Sequence, residues 1–189
     1  MRIAIFGGTF NPIHMGHLVL AEEMAWKLGL DKVFFVPCYL PVHKTNRGLC
    51  AAPHRLKMVK MAIAGNKVFR VSRLEISGKD RSYSVNTVKK FRRLYGKKAD
   101  IYFLAGSDSL TELSSWKNID EILRLCRFVV ARRPGYPLKR VSRRVKTIEI
   151  TAVDVSSSHI RQLLKQRRSI RYLVPEKVRA YILKNRLYG

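Results

Sequence analysis

A doubly wound α/β fold, with a mostly parallel sheet and helices on both faces, is what this chain of 189 residues predicts. Three observations carry the prediction. Short apolar runs rich in β-branched residues alternate with helical patterns along the whole chain. Loops just past several of those runs hold Gly, Ser, Asp or His, the residues expected where ligands sit at the carboxyl ends of parallel strands. The first run, Arg2 to Phe6, breaks at Gly7 and Gly8, crosses a polar loop and enters a helix, the arrangement that offers backbone amides to an anion.

The elements follow in order. The opening strand leads to a helix over Met15 to Leu28. Asp31 to Val36 reads as the next strand of a parallel βαβ unit. Pro37 to Pro53 is a loop long enough to be a binding loop, and His54 to Ala64 carries apolar residues at helical spacing. Val68 to Leu74 is a third strand. A helix opens in Ser82 to Thr87, where the hydroxyls and Asn86 suit a first turn, and runs to about Tyr95. Ile101 to Ala105 reads as a buried strand ending on Gly106, Ser107 and Asp108. Short helical segments follow, around Trp116 and over Ile119 to Leu125. Strands at Phe128 to Ala131 and Thr147 to Ile150 flank a basic loop. Ser156 to Ser158 cap a helix through Lys165, and Pro175 starts a last helix at the N1 position. No repeat, low-complexity segment or linker divides the chain, so one domain is expected.

Composition excludes several classes. The 47% hydrophobic and 10% aromatic fractions belong to a folded protein, and no apolar run reaches the eighteen or so residues of a membrane span. The early strand leaves no room for a signal peptide. Cys38, Cys50 and Cys126 are an odd set without metal-ligand spacing, so reduced thiols in a cytoplasmic protein are expected. The net charge of +25 is uneven, with 16 basic and 3 acidic residues from Arg132 onward. Such a field attracts nucleotides, polyphosphates, nucleic acid or acidic membranes without choosing among them, and nothing in it requires nucleic acid.

Two stretches carry chemistry. His14 and His17 flank Gly16 after the glycine pair. By themselves they leave metal ligation, a structural role and donation to phosphate open, although metal pairs on helices usually sit four apart with a glutamate between. The chain lacks both the Walker-type lysine loop and the G-x-G-x-x-G fingerprint. Far away, Val155 to Arg161 places three serines at a helix start with an arginine one turn in, a second anion site. Two such sites in one sheet suit a polyphosphate held in parts.

Gly7 to His17 resembles the HxGH signature of the nucleotidyltransferase superfamily, and Val155 to Arg161 resembles its second signature, ISSTxIR. Pro41 to Lys44, Arg55, Ser82 to Thr87, Leu104 to Asp108, Trp116, Arg133 to Gly135 and the tail from Leu173 to Tyr188 narrow the resemblance to the bacterial nicotinate mononucleotide adenylyltransferases. Asn11, Val42 and Ser84 depart from that pattern, which usually has Asp, Pro and Thr there. HxGH alone leaves the acceptor open among nicotinate or nicotinamide mononucleotide, phosphopantetheine and alcohol phosphates; the middle landmarks favour nicotinate mononucleotide. A basic nucleic-acid module on the same fold is the rival from another class.

The resemblance implies a single Rossmann-like domain over residues 1–189, with a helical segment from about 156 packed on it. It implies adenylyl transfer from ATP to nicotinate mononucleotide, with Mg²⁺ carried by ATP. It also implies roles. His14 and His17 are the catalytic donors to phosphate. Gly8, Thr9, Phe10, Lys44, Ser157, Ser158 and Arg161 hold ATP phosphates. Gly106 and Asp108 meet the adenosine ribose, and Ser84, Thr87, Trp116 and Arg133 meet nicotinate mononucleotide. The oligomeric state, monomer or homodimer, is left open.

Overall fold

The alternating burial of the first strand, β1 (Arg2–Gly8), sets the architecture. Ala4 and Phe6 face one core and Ile3 and Ile5 the other, so both faces of the strand are covered. In the computed structural model, residues 1–41, 48–78, 82–107, 113–132, 143–151 and 153–189 are described. β2 (Lys32–Pro37), β3 (Phe69–Val71), β4 (Asp100–Gly106), β5 (Arg127–Arg132) and β6 (Val145–Glu149) complete one sheet in the order β3-β2-β1-β4-β5-β6. Every pairing is parallel, so the sheet is wholly rather than mostly so.

Helices cover both faces. α1 (Met15–Lys27), α2 (Ala52–Ala62), α6 (Ser157–Lys165) and α7 (Glu176–Lys184) bury Met24, Met58, Ile160 and Ile182 in one core. α4 (Ser84–Tyr95) and α5 (Ile119–Leu125) bury Phe91 and Ile122 in the other. A fully buried Phe or Ile contributes about 1.5–3 kcal/mol. A short helix, α3 (Leu74–Gly78), lies between β3 and α4. No helix among the described residues is long and apolar enough to cross a membrane.

Several boundaries differ from the sequence reading. α2 begins before Pro53, because proline's fixed φ and missing N–H suit a first helical turn. β3 keeps three of the expected residues, and Leu74 turns into α3. Tyr83, rather than a serine or threonine, is the N-cap of α4 and makes no side-chain cap. The Ser82 hydroxyl instead accepts the Tyr39 N–H at 3.0 Å, tying α4 to the loop after β2. Pro175 is the N-cap of α7 rather than its first helical residue, with extended backbone (ψ 146°).

The strand order reverses direction at β1, between β2 and β4. Their carboxyl ends therefore open a crevice at the switch point, the place where doubly wound sheets bind ligands.

Candidate active site

Gly8 ends β1 at the crevice. A Cβ there would lie 2.8 Å from the Phe10 ring, so only glycine leaves room for that ring. Phe10 is 1% exposed with φ +48°, and packs edge-on against His17 with centroids 5.1 Å apart. The loop is therefore anchored by an aromatic plug rather than by glycine freedom alone.

His14 caps α1 and its ring lies on that of His17, with centroids 3.7 Å apart. The His14 N–H donates to His17 Nδ1 at 3.2 Å. An accepting nitrogen carries no proton, so the neutral His17 ring bears its proton on Nε2, the far side of the ring. Gly16 makes this stack possible: a Cβ there would press on His14 Nδ1 at 3.2 Å.

The first turn of α1 is less open than its sequence implies. The Met15 N–H donates to the Leu173 carbonyl at 2.9 Å, because the segment before α7 crosses the helix start. The amides of His14 and Met15 are thus satisfied within the protein. The groups left facing the crevice at this end are the imidazoles and the Gly8–Phe10 loop.

The second stretch arrives at the same place. Ser156 caps α6, its Oγ accepting from the His159 N–H at 3.1 Å. The Ser157 hydroxyl donates to the Pro12 carbonyl at 2.8 Å, and Arg161 Nη1 donates to the Asn11 carbonyl at 2.9 Å. Arg161 Nη2 also donates to Ser158 Oγ at 3.3 Å. Two stretches some 145 residues apart in sequence thus form one cluster of imidazoles, hydroxyls and a guanidinium. The Ser157 hydroxyl proton is committed to docking α6 onto the Pro12 carbonyl. Ser158 keeps its own proton for donation.

On the other face of the sheet, Trp116 is half-buried and meets Phe103 and Phe128 edge-on, with centroids 5.6 and 5.7 Å away. Lys117 Nζ sits 4.5 Å from the centroid of the Tyr83 ring, so the Trp116 segment and the start of α4 at Ser84 adjoin. Thr87 is 2% exposed and its hydroxyl donates to Glu75 Oε1 at 2.5 Å, so that proton is already placed within the protein. Burial holds the Glu75 carboxyl above the ordinary carboxylate range, against the Thr87 and Ser82 hydroxyls and the charge of Lys90. Gly106 ends β4 at the crevice. Lys44, Asp108 and Arg133 lie outside the described residues.

Two residues beneath the site had not been assigned a role. Asn11, 7% exposed, donates from Nδ2 to the Gly48 carbonyl at 2.9 Å and accepts the Cys50 N–H at 3.0 Å. Arg55 is fully buried and donates to four carbonyls: Thr9, Cys38, Tyr39 and Cys50, at 2.7 to 2.8 Å. The sequence does hold a signal for Arg55. It falls in phase with Ala52, Leu56 and Val59 on the buried stripe of α2, where an arginine requires partners. Burial pushes the Cys38 and Cys50 thiols up, and the Cys126 thiol to about 12, which disfavours the thiolate form at each.

A wholly parallel sheet with imidazoles, hydroxyls and an arginine gathered over its switch point places a set of phosphate-compatible side chains where doubly wound sheets bind ligands. Residues 5–163 match the family model described as cytidylyltransferase-like. A protein of Moorella thermoacetica named "Probable nicotinate-nucleotide adenylyltransferase" is 42% identical over 99% of this chain and 91% of its own. One of the same name from Clostridium novyi is 43% identical over 97% of each. The chain belongs to this family, and within it to the nicotinate-nucleotide adenylyltransferases. The fold is also that of Plasmodium falciparum nicotinic acid mononucleotide adenylyltransferase complexed with NaAD, at TM-score 0.82 and 22% identity, covering 99% of this chain and 97% of that one.

Proposed function

We propose that the chain transfers the adenylyl group of ATP to nicotinate mononucleotide, giving deamido-NAD and pyrophosphate. It would act as one nucleotidyltransferase domain over residues 1–189, its C-terminal helices sharing a core with α1 and α2. The observation that carries the reading is the docking of the Ser157–Arg161 turn onto the Asn11–Pro12 backbone beside His14 and His17. The family membership carries the choice of substrates.

The 5′-phosphate of the mononucleotide attacks the α-phosphorus of ATP in line. The bond to the bridging oxygen breaks and its electron pair leaves with pyrophosphate. A phosphate monoester has its second pKa near 6, so the nucleophile is ionised at neutral pH without a general base. The protein must instead bring two anions together and stabilise growing charge, so catalysis is positioning plus electrostatics. His17 Nε2–H is placed to donate to the α-phosphate, with His14 stacked behind it. The loop amides of Thr9 and Phe10 hold the same phosphate. Ser158, Arg161 and the α6 amides hold the departing β- and γ-phosphates, with Lys44 as a further cation. Gly106 and Asp108 are assigned to the adenosine ribose. Trp116 and the start of α4 at Ser84 are assigned to the pyridine ring and its carboxylate, and Arg133 to the mononucleotide phosphate.

The side chains gathered here are imidazoles, hydroxyls and cations, a set that suits a metal carried by phosphates rather than caged by carboxylates. Mg²⁺ bound to ATP would neutralise charge on the leaving pyrophosphate. The chain is assigned to the cytoplasm, in keeping with its three free thiols.

The test is an acceptor panel: ATP with nicotinate mononucleotide, nicotinamide mononucleotide and phosphopantetheine, and CTP with an alcohol phosphate. Product from the acid at the highest kcat/KM is expected. Preference for the amide overturns the substrate, and transfer to none overturns the activity.

A further inference from the structure

Arg55 is a fully buried cation with no carboxylate within ion-pair distance among the described residues. Removing a guanidinium from water is costly unless its donors are met, and here they are met by four backbone carbonyls of three separate segments. A packing role alone would be served by an aliphatic residue in the same stripe of α2. The choice of carbonyls explains the arginine.

One of the four belongs to Thr9, in the loop above the crevice. In a trans peptide the C=O and the following N–H point in opposite directions, because the unit is planar. Arg55 Nη1 holds the Thr9 carbonyl at 2.8 Å, so the Phe10 N–H of the same peptide is directed away from Arg55. The peptide before it is set likewise. The Gly8 carbonyl accepts the Cys38 N–H at 3.0 Å, so the Thr9 N–H is directed away from β2. β1 lies between β2 and β4, so "away from β2" is toward β4 and the switch-point crevice. Two successive amides are thereby turned the same way, an arrangement that attracts an anion.

Asn11 completes the support. Its amide donates to the Gly48 carbonyl and accepts from Cys50, and the Cys50 carbonyl is itself held by Arg55 Nε at 2.8 Å. Only an amide can make both bonds. A carboxylate in its place would accept from Cys50 and face the Gly48 carbonyl with like charge. The asparagine that departs from the family pattern is thus matched to its surroundings.

We infer that Arg55, seconded by Asn11, is a positioning residue for catalysis: by gripping the Thr9 carbonyl it aims the Thr9 and Phe10 amides at the ATP phosphate. The guanidinium touches no substrate, and its buried positive charge adds to the attraction of that phosphate from below.

This inference rests on the proposed adenylyl transfer for its kinetic arm only, and ATP binding tests it separately. Arg55→Lys keeps the charge but lacks the planar fork, and Asn11→Asp alters a neighbour without enlarging a cavity. ATP and nicotinate mononucleotide binding are measured calorimetrically, with melting curves and steady-state constants. Arg55→Lys is expected to weaken ATP binding by about tenfold or more, and Asn11→Asp by a smaller factor in the same direction. Mononucleotide binding should stay within about twofold, and the loss should appear in both kcat and the KM for ATP. If Arg55→Lys fails to fold, Asn11→Asp and Asn11→Ala decide: Ala should bind ATP better than Asp, because it removes the support without adding repulsion. Lower melting temperatures with ATP binding unchanged overturn the inference, as does equal weakening of both nucleotides. Weaker ATP binding in the variants, with a wild-type protein that transfers adenylyl to no acceptor, would sink the proposed function and leave the aiming role standing.

Discussion

At the scale of single residues, the proposed site depends on where protons are already placed. His17 receives the His14 N–H on Nδ1, which leaves Nε2–H as its donor. Loss of that donor from a preorganised site costs about 10²–10³ in rate. His17→Ala should therefore lower kcat by that order, while the melting temperature changes little because the ring is only half-buried. Steady-state rates and a thermal melt check both parts, and near-normal turnover would mean the α-phosphate lies elsewhere. Thr87 is the converse case. Its hydroxyl is spent on Glu75, so Thr87→Val should cost about 1–3 kcal/mol of stability and act on the mononucleotide only through α4. A chemical denaturation curve reads the stability. A rise in the KM for mononucleotide without loss of stability would instead place Thr87 in contact with substrate.

At the scale of elements, α6 and α4 are held to the site by unlike devices. α6 is capped by Ser156 and latched by Ser157 to the Pro12 carbonyl. Ser156→Ala should cost about 1 kcal/mol, or roughly 2–4 °C in melting temperature for a chain of this length. α4 is held by Glu75, whose buried carboxyl titrates above its ordinary value. Between the ordinary value and the raised one, the folded state keeps a proton that the unfolded chain has lost. Stability therefore falls as pH rises through that window. Glu75→Gln removes this slope while keeping an acceptor for Thr87. The stability of the variant relative to the parent should rise from acidic pH toward neutral, measured by denaturation at a series of pH values. A difference that is flat with pH, or falls, would show that folding does not raise the Glu75 pKa.

At the scale of the whole molecule, 38 basic residues stand against 13 acidic ones, a surplus whose field favours a polyphosphate substrate. Between about 0.1 and 1 M salt the Debye length shrinks from about 10 Å to about 3 Å, so ATP affinity should fall steadily over that range. Calorimetric titration at each salt concentration measures it, and an affinity indifferent to salt would confine the attraction to the close contacts. ATP at a hundredfold its Kd should stabilise the fold by about 2.7 kcal/mol, provided the unfolded chain does not bind it.

The sequence by itself determined the order of the strands and of every helix but α3, the two faces of the sheet and the two stretches that the fold brings together. These are readable because side-chain periodicity and turn residues act over a few positions: Ile3 and Ile5 alternate with Ala4 and Phe6, and Ser156 caps the helix it precedes. Only the tertiary structure decided which donors remain for a ligand. The Met15 amide, the Ser157 hydroxyl and the Thr87 hydroxyl all looked available, and each is met by a group distant in sequence or on a helix that no local pattern showed. Arg55 shows the same limit from the other side. Its place on a buried stripe was visible, but the four carbonyls that account for it come from the ends of β1 and β2 and the loop before α2. Carbonyl positions follow from how strands end in space, and no sequence period encodes that.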